Sequence, residues 1–151
     1  MTEAAMAWGR RLRQVTLREV GLLAEAQAVL LSCQLAKMRR PVGQLLEWNA
    51  PEPDVITGPI DGRLVESVCW AVSRAHRFGV FRPKCLVRAL AIQRMLRRRG
   101  IVTSRLQIGV RTLEGRFEAH AWVELGGAIL GDSPQHVRQF TRVNDHRLVE
   151  L

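Results

Sequence analysis

Three residues in the second half of the chain have the types and placement that nucleophilic catalysis needs: Cys85, His120 and Asp132. A thiol attacks a carbonyl as thiolate, so it requires a base to take its proton and a third group to hold that base in the right tautomer. Imidazole and carboxylate fill those two roles. The segment RPKCLVRALAIQRMLRRRG puts Cys85 in the first turn of a helix, where the dipole and unpaired N–H groups favour negative charge on sulfur. The backbone N–H of Cys85 is suited there to donate to a tetrahedral oxyanion. Taken singly, each residue also has a plain structural role, as a buried thiol, a strand histidine or a turn aspartate. Their combination favours catalysis.

The elements that must position them are legible downstream. In the Cys85 helix, Leu86, Val87, Leu90, Ala91, Met95 and Leu96 recur on one face, Arg97, Arg98 and Arg99 fill the last turn, and Gly100 supplies a C-cap. Pro83 is expected in the first turn, where its missing N–H is harmless. Val102, Ser104, Leu106, Ile108 and Val110 then alternate with polar or small residues, a strand pattern. In a second strand Phe117, Ala119, Ala121, Val123 and Leu125 share one face, and Glu118, His120, Trp122 and Glu124 the other. Gly126-Gly127 marks a hairpin, and Ala128 to Leu130 returns and ends at Gly131-Asp132. A two-residue loop would pair 125 with 128 and turn Asp132 away from His120. A bulged loop would pair 125 with 129, set Asp132 opposite Trp122 and make it the diagonal neighbour of His120. The bulged register is the expectation. Glu118 and Glu124 are alternative acids with poorer reach, and Trp122 is expected to cover the imidazole, border the substrate groove or pack in the sheet.

Upstream, residues 10–40 read as helix, with Leu17, Val20, Leu23 or Ala24, Leu30 or Leu31, and Leu35 inward and basic residues at both ends. Val42 to Trp48 forms a second short element, and NAPEPDVITGPI over 49–60 reads as a linker. Asp61 is an N-cap for a helix with Leu64, Val65, Val68, Cys69 and Val72 on one face, and His76 lies near its end, where a cation suits the dipole. The expected architecture is α+β: a helical region 1–48, a linker 49–60 and a core 61–151 with the Cys85 helix packed on a small antiparallel sheet, all forming one compact unit.

The chain has 151 residues with a net charge of +9, and all but two of its 23 basic side chains are arginine. That balance allows nucleic acid, anionic membrane or acidic peptide as partner and does not choose among them. Arginine runs at 10–13 and 97–99 give weak support to a basic nucleic-acid-binding module, but aromatics do not interleave with them. Three scattered cysteines and no signal sequence point to a reducing, cytoplasmic setting, with Cys33 and Cys69 as small buried hydrophobes. The apolar stretch Gly21 to Ala36 is interrupted by Glu25, Gln27 and Gln34 and is too short and polar to span a membrane. His120, Cys85 and Asp132 lack the short spacing of a zinc site, His136 and His146 fall in a weakly periodic tail, and neither nucleotide-loop fingerprint occurs. No cofactor or metal is expected.

CLVRALAIQRMLRRRGI, LQIGVR and FEAHAWVELGGAILGD together resemble the transglutaminase-like cysteine proteases of bacterial lasso peptide biosynthesis, the leader peptidases of that pathway. The resemblance is close over about residues 80–140 and looser over the N-terminal helices, where RRPVGQLLEW falls. The HAWVE core alone is shared by the wider transglutaminase and papain-like superfamily. The resemblance implies Cys85 as nucleophile, His120 as base and Asp132 as orienting acid. It further implies cleavage of a precursor peptide at the leader–core junction through an acyl-enzyme, which frees the core amine for a separate asparagine-synthetase-like cyclase. A small leader-recognition protein acting in trans is the implied partner. Transglutaminase-like acyl transfer to an amine is the alternative within the enzyme class.

Overall fold

The structure, a computed structural model, describes residues 16–48, 50 and 58–143. Helix α1 (Leu17–Arg39) starts at Thr16, whose side chain accepts from the Glu19 backbone N–H while the Glu19 carboxylate accepts from the Thr16 N–H. This reciprocal cap closes two of the free donors at the helix start. Residues 10–15 of the expected helix lie outside the described residues, as do the arginine run at 10–13 and most of the 49–60 segment. α2 (Val42–Trp48) follows, then α3 (Gly62–Phe78), which Asp61 caps by accepting from the Arg63 N–H at 3.0 Å.

α4 (Cys85–Arg97) begins at Cys85 itself, with Lys84 as N-cap, so Pro83 precedes the helix instead of lying in its first turn. Its far end closes as expected. Gly100 takes φ 81, and the Ile101 N–H bonds the Leu96 carbonyl at 3.0 Å, a left-handed termination that glycine adopts without strain. The strands β1 (Arg105–Leu113), β2 (Arg116–Leu125), β3 (Ala128–Leu130) and β4 (Thr141–Arg142) form one antiparallel sheet in the order β3-β2-β1-β4, and the one-turn helix α5 (Pro134–Val137) lies between β3 and β4. β1 starts at Arg105, later than the alternation from Val102 suggests.

The helices and one face of the sheet enclose a single apolar core. Val29 and Leu30 of α1, Val68 and Val72 of α3, Leu90 and Met95 of α4, and Ala121, Val123 and Leu125 of β2 all contribute to it. Helical and sheet parts are therefore one packing unit. Gln93, fully buried on α4, donates to the Ser104 carbonyl at 2.9 Å and ties the helix to the approach of β1. Burial of such a group is tolerable only with a partner.

The expected inward face of α1 holds only in part: Leu30 is buried and Leu23 packs partly buried against the core. Leu17, Val20, Leu31 and Leu35 are exposed, whereas Ala26, Val29, Leu30 and Cys33 are buried. Apolar residues surround this helix on most of its circumference, so periodicity cannot choose the side that packs. Among the described residues, α1 is also the one helix long and apolar enough to cross a membrane by length and composition. The expectation that this stretch is too short for that does not hold for the 23-residue helix, although the buried side just named packs in the protein core.

Candidate active site

The hairpin after β2 is the strict two-residue type. Leu125 pairs with Ala128 and Val123 with Leu130, while Gly126 and Gly127 take φ 56 and 84. Two successive left-handed residues make the turn whose twist matches paired strands, and glycines adopt it readily. The bulged register expected from the sequence is therefore wrong. Asp132 meets His120 by another route. β3 stops at Leu130, and Gly131 turns the chain at φ 70. A Cβ at Gly131 would lie 2.4 Å from Ile92 Cδ1 of α4, so both the turn and the close approach to the helix call for glycine. Beyond that turn the Asp132 carboxylate swings back, and its Oδ2 is hydrogen-bonded to His120 Nε2.

This pair is well enclosed, with each side chain 11% exposed. Asp132 Oδ2 also accepts from Arg88 Nη2 of α4 at 3.3 Å, and Oδ1 accepts from the Ser133 backbone N–H at 2.7 Å. With Nε2 occupied by the acid, the imidazole keeps Nδ1 for a second partner. Aromatic rings hold its plane. Phe140 stacks at 5.1 Å between centroids, Trp122 lies at 6.2 Å, and the His136 ring meets it edge-on at 4.8 Å. Trp122 itself is only 2% exposed and donates to Glu124 Oε1 at 2.9 Å. Of its three expected roles it packs in the sheet beside the imidazole; it presents no open surface to a substrate here.

That arrangement depends on Gly109, which pairs with His120 across the sheet. A Cβ there would sit 2.8 Å from both Phe140 Cβ and Trp122 Cη2, so the absent side chain lets both rings lie over β1. Arg88, Gly109, Gly131, His136 and Phe140 were not picked out from the sequence. Gly131 carried a signal, a glycine beside the candidate acid at a strand end; the others become meaningful only through contacts distant in sequence. The alternative acids are otherwise engaged: Glu118 pairs with Arg111 at 2.7 Å and Glu124 with Arg142 at 2.6 Å.

Cys85 is half-buried as the first residue of α4, and Lys84 contributes no side-chain cap to the first-turn N–H groups. Among the described residues no hydrogen bond joins its sulfur to His120. The structure thus brings His120 and Asp132 into contact and sets Cys85 on the helix whose Arg88 reaches the same carboxylate. The other two thiols pack with the apolar core, and Cys33 also accepts from Arg94 Nη1 at 3.9 Å. Burial pushes the Cys33 thiol above its ordinary value, and pushes Cys69 up to about 11 against the opposing Gly131 N–H. Burial, with Arg88 and Arg82 nearby, pulls His76 below its ordinary value, which opposes the cationic helix-end role expected for it. The arginine run at the end of α4 is largely committed to the fold: Arg99 bonds Glu25 and Arg97 bonds the Ala50 carbonyl.

A helix that opens on cysteine thus packs beside a sheet carrying a hydrogen-bonded His–Asp pair. The chain belongs to the transglutaminase-like superfamily, whose family model matches residues 22–145. Over 63 residues it is 42% identical to the Microcin J25-processing protein McjB of Escherichia coli, a segment amounting to 42% of this chain and 29% of that protein. No solved structure matches the chain.

Proposed function

We propose that this protein is a cysteine endopeptidase that removes the leader from a ribosomally made lasso precursor peptide. The observation that carries this reading is the enclosed His120–Asp132 pair tied by Arg88 to the helix that Cys85 opens. Residues three apart on a helix are surface neighbours, about 5–6 Å between Cβ atoms. Cys85 therefore shares a helix face with Arg88, which already contacts the acid of the pair. Apo enzymes often hold such hydrogen bonds open until substrate binds. The similarity to a protein named for processing microcin J25 supports peptide maturation as the setting.

In the proposed cycle His120 takes the Cys85 proton through Nδ1 while Asp132 holds Nε2. The thiolate attacks the scissile carbonyl, and first-turn N–H groups of α4 receive the oxyanion. His120 then protonates the leaving amine, which departs as the core N-terminus. Water activated at the same imidazole hydrolyses the thioester and releases the leader. A leader-recognition protein acting in trans delivers the substrate, and an asparagine-synthetase-like cyclase uses the freed amine. The site operates in the cytoplasm and needs no cofactor.

The test is incubation of the full chain with a leader–core precursor and its recognition protein, read by mass spectrometry. The expected products are two fragments whose masses sum to the precursor plus one water. An added amine appearing in the leader fragment would instead establish acyl transfer. An intact precursor with wild-type protein, or undiminished cleavage by Cys85→Ala, would overturn the reading.

A further inference from the structure

The sequence puts His136 in a weakly periodic stretch, yet the fold sets it against the site. One ligand atom each from His120, Asp132 and His136 lies within 4.8 Å of the other two, and all three side chains are half-buried. A divalent ion of the zinc class binds imidazole nitrogen and carboxylate oxygen at about 2.0–2.2 Å, which in a tetrahedron sets ligand atoms roughly 3.3 Å apart. The widest separation here exceeds that by an amount side-chain rotation can close. His136 is free to make that move. Among the described residues its ring accepts or donates no hydrogen bond, and it is held only by edge contacts with His120 and Phe140. Its backbone belongs to the four-residue α5, directly after the Asp132 turn.

We propose that His120, Asp132 and His136 form a zinc-class binding site that overlaps the catalytic pair and inhibits the enzyme when filled. Two imidazoles and one carboxylate leave a fourth coordination position open for water or a thiolate. Soft, nitrogen-preferring ions fit this donor set, whereas magnesium and calcium prefer all-oxygen sites. The ion takes the ring nitrogen of His120 that now bonds Asp132, and the displaced proton moves to the other ring nitrogen. With that nitrogen protonated the imidazole can no longer accept the Cys85 proton. Arg88 opposes the ion, because its guanidinium bonds the carboxylate oxygen facing His120. That repulsion keeps the affinity below that of a structural zinc site, as reversible inhibition requires.

The inhibitory half of the proposal rests on the peptidase reading; the binding half does not. Binding is read by cobalt(II) absorption and zinc titration on the full chain carrying Cys85→Ser, which removes the thiol as a competing ligand. One equivalent with a tetrahedral cobalt spectrum is expected, and it should be lost in the Cys85→Ser, His136→Gln double variant. Inhibition is read by precursor cleavage in zinc buffers. His136→Gln should raise the half-inhibitory zinc concentration at least about tenfold, read against that variant's own cleavage rate in chelator, since even outer partners of metal ligands contribute that much. Equal zinc sensitivity of His136→Gln and wild type, cobalt binding that survives loss of His136, or activation by zinc would each overturn the proposal. Should the chain cleave no precursor yet show His136-dependent cobalt binding, the peptidase reading fails while the metal site stands.

Discussion

At its C-terminal end α4 is moored to α1 by arginines. Arg99 makes a two-pronged pair with Glu25 at 3.1 and 2.6 Å, and Arg94 donates to Ser32 Oγ at 3.0 Å. At its N-terminal end a single arginine, Arg88, reaches a carboxylate that is also the partner of a histidine. One residue type thus does two jobs on one helix. At the moored end the acid has arginine partners only and fixes an angle between helices. At the other end Arg88 and His120 share one oxygen, so the acid sets the position of an imidazole. The difference teaches that charge pattern alone does not separate scaffold from site; the second partner of the acid does.

Substitutions at the two ends should differ in kind. Cys85→Ala should lower precursor cleavage by on the order of 10⁴-fold or more, as loss of other catalytic nucleophiles does, with the thermal midpoint almost unmoved; cleavage assays and a melting curve measure both. Asp132→Asn keeps the shape but removes the charge that fixes the tautomer, and kcat should drop about 10²–10⁴-fold. Arg88→Ala removes one charge-assisted hydrogen bond from the acid. A fall of roughly 5–10-fold in kcat, with little change in KM, is expected. At the moored end Arg99→Ala should leave kcat alone and cost about 0.5–1 kcal/mol, the discounted value for a partly exposed pair. Its thermal midpoint should fall by about 1–4 °C. A large kcat loss in Arg99→Ala would erase the contrast between the ends.

Acid should reveal the same division by stability. The folded state holds His76 below its ordinary value of 6.5, so the unfolded chain takes up a proton first. Stability is then full above that value and declines as pH falls through it. Glu25, held below its ordinary 4.5 chiefly by its hydrogen bond to Arg99, adds a second decline below that value. Denaturant titrations at pH 7, 5.5 and 4 should show both steps, and His76→Gln should remove the first.

Much of the frame was legible locally. The α4 helix, its glycine stop, the Asp61 cap and both candidate reactive side chains are set by neighbours within a few positions, where capping and pattern operate. The capping box at Thr16 and Glu19 was equally local and went unread. The buried side of α1 was not legible, because a helix apolar nearly all round offers packing partners no unique face. The hairpin register went wrong for a related reason. The sequence arithmetic assumed that β3 continues to Asp132, while the strand ends at Leu130 and Gly131 redirects the chain.

The sequence by itself determined the α+β order, the helix that Cys85 opens, and the presence of one histidine and one aspartate able to meet. Only the tertiary structure decided how they meet, that Arg88 joins them, that Gly109 leaves room for Phe140 and Trp122 over β1, and that His136 comes within reach. The physical reason is range. Caps and turns are fixed by contacts a few residues apart, whereas the meeting of α4, β2 and the turn after β3 depends on which apolar faces share one core, and many chain positions decide that jointly.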